Sequence, residues 1–273
     1  MENKPTLDDE HFHEKPSSHF GLSGAWFWVL FYSKKVMRQL ILLVPFLALI
    51  FVRCTKEKPT ETVKISLSEF DTLTLNNVFD VYLIQGDSNF VTIEGNPKII
   101  EKVRAEVTNN TLNFYNDFGG KWLYPSNNLI KLTITTNGLT RINAGETSNI
   151  QTLNTLTGNE IGIVMTSKLN QATLDINCNS FYFWNNFPCG GKLTLRGSVH
   201  ELKIWAVALM AVDAQGLSAD IATLENKSKG DISATVTQFL HYRIGGTGNI
   251  HLWGNPAQIV DTGSDGDGKI IQH

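Results

Sequence analysis

The sequence predicts an all-β chain whose main body is a single-stranded parallel β-helix, and three observations predict it. First, a small residue, a polar residue and an aliphatic residue return in that order about every twenty residues. They read Ser148-Asn149-Ile150, Ser167-Lys168-Leu169, Gly191-Lys192-Leu193, Gly230-Asp231-Ile232, Gly248-Asn249-Ile250 and Gly268-Lys269-Ile270, with a degenerate copy at Met210-Ala211-Val212. A unit this short cannot bury its own apolar face, so the copies must stack and share one core. Second, no long segment beyond residue 64 carries a helical period, and apolar residues alternate with polar ones instead. Third, glycine follows several of the repeated aliphatics, at Gly197, Gly216 and Gly254, where tight turns need a positive φ.

The N-terminus comes first in the chain and belongs to none of this. Leu40 to Val52 is an unbroken apolar run. At about thirteen residues it is short for a membrane span and fits the apolar core of a secretory signal. Met37 and Arg38 precede it, which makes Met37 an alternative translation start to Met1 and residues 1–36 an over-extended leader. Joining the run to Ala25–Tyr32 would bury Lys34, Lys35 and Arg38 in hydrocarbon, which is costly. Cys54 follows the run directly and is placed as the acylated cysteine of a lipoprotein-type signal peptide, residues 37–54. Arg53 departs from the small residue usual before such a cysteine. Residues 55–64 form a polar tether.

Residues 65–273 are expected to form one β domain. Its early part alternates at Leu73/Leu75, Val81/Leu83, Val91/Ile93, Val103/Ala105/Val107, Leu112/Phe114 and Ile130/Leu132/Ile134, as half-buried strands do. Asn109-Asn110 marks a turn, and Pro97 to Lys102 a single helical turn. In the regular part a second apolar residue lies ahead of each repeated aliphatic (Ile142, Ile161, Ile204, Leu224, Tyr242), and a third follows the glycines (Leu202, Ile221, Ile259). Three short strands per coil result. Gly95-Asn96-Pro97 echoes Gly254-Asn255-Pro256, which suggests that the less regular part is a continuation of the same stack.

These residues resemble a known family. Phe70-x-x-Leu73, Val81-Tyr82-Leu83-Ile84-Gln85-Gly86 and Val91-Thr92-Ile93-Glu94-Gly95-Asn96 are similar to the start of the head GIN domain of autotransporter adhesins. Gly246-Thr247-Gly248-Asn249-Ile250, Gly254-Asn255-Pro256 and Gly266-Asp267-Gly268-Lys269-Ile270 resemble its ending. The resemblance runs from Leu67 to Ile270. It implies a β-helical envelope or surface protein of a Gram-negative bacterium, often anchored as an outer-membrane lipoprotein, and it carries no catalytic residues.

Composition narrows the function. A net charge of -3 argues against nucleic acid, whose phosphates call for clustered Lys and Arg. Three cysteines exclude a disulfide-built scaffold. Cys178 and Cys189 lie about half a coil apart, on different faces of a stack, and their redox state is open. Phe181-Tyr182-Phe183-Trp184 places Tyr182 and Trp184 on the face opposite Phe181 and Phe183. An outward Tyr182/Trp184 pair could bind a surface glycan or an envelope protein; an aromatic cap over the solenoid flank is the structural alternative.

Asp175, Asp213, Asp231 and Glu225 are the carboxylates that a polysaccharide-active enzyme would need on this scaffold, but they mark no recurrent pair. His200, His241, His251 and His273 match no metal-ligand spacing. The Asp261–Gly268 stretch lacks the distal glutamate of a calcium loop. No cofactor fingerprint occurs. The sequence therefore points to an exported, lipid-anchored, non-catalytic binding or structural module, with self-association through an open solenoid end as a further possibility.

Overall fold

The computed structural model describes residues 60–120, 123, 128–167, 169–186 and 189–273. Residues 1–36, the signal segment, Cys54 and Lys168 of the repeat lie outside them. Alternation of apolar and polar residues yields strands β1 (Glu61–Ser66), β2 (Thr72–Leu75), β3 (Phe79–Gln85) and β4 (Phe90–Gly95), then helix α1 (Pro97–Ile100). There follow β5 (Val103–Thr108), β6 (Thr111–Asn116), β7 (Lys131–Thr136), β8 (Arg141–Ala144), β9 (Ser148–Thr152) and β10 (Leu156–Met165). The chain continues through β11 (Leu169–Asn185), β12 (Gly190–Ser228), β13 (Ile232–Ile244), β14 (Ile250–Trp253), β15 (Gln258–Asp261) and β16 (Ile270–Gln272). Strand β1 begins at Glu61, inside the stretch expected to be a tether.

From β8 onward every pairing is parallel, in a β-solenoid of about six turns with coils of roughly 21 residues. Repeated aliphatics stack as predicted. Val81, Ile150, Ala172 and Leu193 pair in series, and Val212, Ile232, Ile250 and Ile270 do the same. A second inner ladder runs Leu73, Ile142, Ile163, Phe183, Ile204. Most of these side chains are fully buried, and the degenerate copy holds its rung, with Val212 facing Ile232.

One copy of the repeat is out of place. Leu169 is 53% exposed and Ala172 occupies its rung. The cause is Asn170, fully buried, which faces Gly191 and clips the turn from inside. Its side-chain oxygen accepts from the Ser148 amide at 3.1 Å, and its amide nitrogen reaches the Ser167 carbonyl at 3.4 Å. The small member of this phrase is thus Asn170, not Ser167. Likewise Ile163, not Ile161, faces Ile142, and Ala222, not Ile221, joins the Leu240–Ile259 ladder.

Glycine also plays a narrower part than the spacing suggests. Gly197 and Gly254 do have positive φ, whereas Gly216 does not and lies within β12. Ala208 holds a positive φ of 62 instead.

The early part continues the stack but is less regular: β2 pairs in parallel with β8 and β6, and β3 with β9 and β7, while β1, β4 and β5 do not follow the coil. Strand β4 is antiparallel to both β1 and β7, and β5–β6 is an antiparallel hairpin closed by Asn109 and Asn110, both at positive φ. Asn residues tolerate that region, so the expected turn forms there. Gly95-Asn96-Pro97 is not a copy of Gly254-Asn255-Pro256. Asn96 caps α1, its side chain accepting from the Lys98 amide with Pro97 at the start of the helix. Gly254 supplies a solenoid corner at φ +89.

Among the described residues no helix is long and apolar enough to cross a membrane.

Candidate functional site

Three consecutive coils build an aromatic patch on the outer surface of the solenoid. Strand alternation along β11 sends Phe181 and Phe183 inward, where both are fully buried. Tyr182 and Trp184 point outward as expected. Parallel register then sets Trp184 beside Trp205 of the next coil, and Tyr182 beside Lys203. Trp205 is 37% exposed. It was not singled out from the sequence, although its separation from Trp184 is about one coil, the interval that puts two residues on neighbouring rungs.

Tyr182 is held by a vacancy on the preceding coil. It faces Gly162, and a Cβ at Gly162 would lie 2.0 Å from the Tyr182 Cζ atom. The ring therefore rests on bare backbone. Burial of the ring raises the phenol above its usual range, with Arg141 opposing and Glu160 adding to the shift. The bordering charges are engaged: the Lys203 ammonium lies 2.6 Å from Glu201, and the Arg141 Nε donates to Asn143 at 2.8 Å.

The candidate carboxylates are not brought together. Asp175 accepts from Thr155, Asp213 pairs with Lys192 at 2.9 Å, and Glu225 pairs with Lys227 at 2.6 Å. Asp231 accepts from the Asn249 amide and faces His251. Asp175, Asp213 and Asp231 each serve a neighbouring coil, and Glu225 joins Lys227 on its own strand to Arg243 of the next coil at 3.6 Å.

Histidines follow the same habit. His200 contacts Asp220 at 2.9 Å, and this bond, with one from Thr237, holds the Asp220 carboxyl below its usual range. His251 meets His273 at 3.0 Å, and His273 stacks on Trp253 with ring centroids 4.3 Å apart. In the Asp261–Gly268 stretch, Asp261 accepts from Gly263 and Ser264, which hold its carboxyl low, and Asp265 pairs with Arg243. Asp261 thus serves its own turn, and Asp265 ties that turn to the preceding coil. Among the described residues no three His, Cys, Asp or Glu side chains cluster as metal ligands would.

Cys178 and Cys189 are both free and buried. Burial pushes the Cys178 thiol up to about 11 and raises Cys189 as well, so neither is a ready nucleophile.

A parallel solenoid with an antiparallel start agrees with what the chain matches. Residues 69–256 match the family described as putative auto-transporter adhesin, head GIN domain. The chain belongs to this family. The match stops before the Gly266–Ile270 phrase. The head GIN fold is shared with a putative adhesin from Bacteroides fragilis, at TM-score 0.71 and 21% identity, over 80% of this chain and 98% of that one. A putative lipid binding protein from Parabacteroides distasonis is similar at TM-score 0.55 and 18% identity, over 80% and 98%. A putative adhesin from Parabacteroides merdae is similar at TM-score 0.54 and 16% identity, over 80% and 97%. At these identities the likeness concerns the fold. No curated protein matches the head GIN chain.

Proposed function

We propose that this head GIN protein is a non-catalytic binding module of the Gram-negative cell envelope. In this reading it is exported by the residue 37–54 signal and held at the outer membrane by lipid on Cys54. Its aromatic patch contacts a surface glycan. The observation that carries the reading is the outward Trp184–Trp205 rung beside Tyr182. Flat aromatic rings on a rigid sheet stack on the apolar faces of sugar rings and lose little conformational entropy in doing so. The family described as auto-transporter adhesins supports adhesion as the class of function.

Glycan-array binding of the wild type and of a Trp184→Ala/Trp205→Ala variant tests the reading. Both side chains face outward, so the variant should melt like the wild type and lose glycan retention. Retention unchanged by the double substitution would remove the patch from the function. Turnover of any retained polysaccharide would overturn the non-catalytic reading. Cys54→Ala should move the protein from the membrane fraction to the soluble one, and unchanged fractionation would refute the anchor.

A further inference from the structure

A groove of about 560 Å3 opens where strand β12 leaves the aromatic face and turns into its next coil. Its walls are Val207, Ala208 and Leu209 on one coil, Lys227 and Lys229 on the next, and Thr247 on the one after. The volume falls within the ~300–1,000 Å3 of small-molecule sites.

The apolar wall is built rather than frayed. Ala208 holds φ +62, a region that non-glycine residues seldom occupy, and this turn delivers Leu209 to the surface at 61% exposure. Hydrogen bonds pin the turn on both sides. The Leu209 amide donates to the Cys189 carbonyl at 3.3 Å, and the Ala208 carbonyl accepts from the Lys229 amide at 2.9 Å and the Ser228 hydroxyl at 3.1 Å. A strained residue that presents an exposed leucine is an arrangement the fold alone does not require.

The opposite wall is cationic. Lys227 is shared with Glu225 at 2.6 Å, whereas Lys229 is exposed and takes part in no ion pair among the described residues. The groove offers few directional polar groups, chiefly the Thr247 hydroxyl, so it suits neither a sugar nor a peptide backbone. Hydrocarbon on one side and ammonium on the other match one ligand chemistry.

We propose that this groove binds a single-chain anionic amphiphile of the fatty-carboxylate class, its chain along Val207, Ala208 and Leu209 and its head at Lys229. The site is separate from the glycan reading and does not depend on it.

The probe is dodecanoate below its micellar concentration, titrated into the intact protein by calorimetry, with dodecanol and inorganic phosphate as comparison ligands. Saturable dodecanoate binding is expected, at least tenfold tighter than dodecanol, with none for phosphate. Lys229→Glu should weaken dodecanoate at least tenfold and leave dodecanol unchanged. Leu209→Ser should weaken both. Both side chains are exposed, so melting temperatures should match the wild type. Trp184→Ala should leave dodecanoate binding intact, which separates this site from the aromatic patch. Absence of saturable binding, indifference to both groove substitutions, or loss of binding in Trp184→Ala would each overturn the proposal.

Discussion

The substitution Ile232→Ala puts the stacked ladder to a quantitative test. Ile232 is fully buried between Val212 and Ile250. Truncation removes three carbons, worth about 2.4 kcal/mol at ~0.8 kcal/mol each. The void cannot close easily, because the rungs on either side are fixed by backbone hydrogen bonds of 2.9 Å (Ile232 to Asn249) and 3.0 Å (Val212 to Asp231). A retained void of about 60 Å3 adds about 1.5 kcal/mol at ~24 cal/mol per Å3. The total, about 4 kcal/mol, corresponds to a fall in melting temperature of roughly 8–16 °C for a domain of this size.

Ile270→Ala is the internal control. Ile270 sits on the last described rung and is only partly buried, so it should lose less than about 1 kcal/mol, like other partly solvated sites. Urea unfolding followed by tryptophan fluorescence and far-UV circular dichroism would measure both. If Ile232→Ala fell within about 1 kcal/mol of Ile270→Ala, the continuous interior ladder would be refuted.

Gly191→Ala should destabilise by about 1–3 kcal/mol, because Gly191 has φ +128 and a Cβ there would lie 1.8 Å from the Asn170 carbonyl oxygen. Gly138→Ala, with nothing within 4 Å of the added Cβ, should stay within about 0.5 kcal/mol, and equal effects at the two sites would contradict the strain argument. Maleimide at pH 8 should leave Cys178 and Cys189 unmodified in the folded protein and label both after unfolding. Rapid labelling of the native state, read by mass spectrometry, would show that the thiols are not buried.

What the sequence made legible was whatever the repeat itself enforces. A ladder of aliphatics needs a residue of the right kind at each rung, so Ile150, Val212, Ile232 and Ile250 could be placed from spacing alone. The failure at Leu169 has a definite cause. A buried asparagine can replace the small corner residue by satisfying the turn's backbone groups, and composition at that corner no longer marks the register. Asn170 and Ala172 were therefore invisible to a search for small-polar-aliphatic phrases.

The antiparallel pairing of β4 was hidden for another reason. Alternation reveals that a strand has an inner and an outer face, but not which way its neighbour runs. In the aromatic patch, Tyr182 and Trp184 followed from parity, while Trp205 required knowing that the coils stack in register. The groove at Ala208 left no signal, since an alanine at positive φ looks like any other alanine.

The two parts of the domain differ in how far the chain must travel to make a contact. Asn149 reaches Asp80 across 69 residues, whereas Thr235 reaches Gln215 across 20. Closing the longer loop costs about 1.1 kcal/mol more in chain entropy. Later coils should accordingly zip together first, each nucleated by the one before it, and β2 and β3 should dock afterwards as the slow step. Because β10, β11 and β12 belong to the fast segment, the tryptophan rung is assembled before β2, β3 and the antiparallel strands beyond them join the stack.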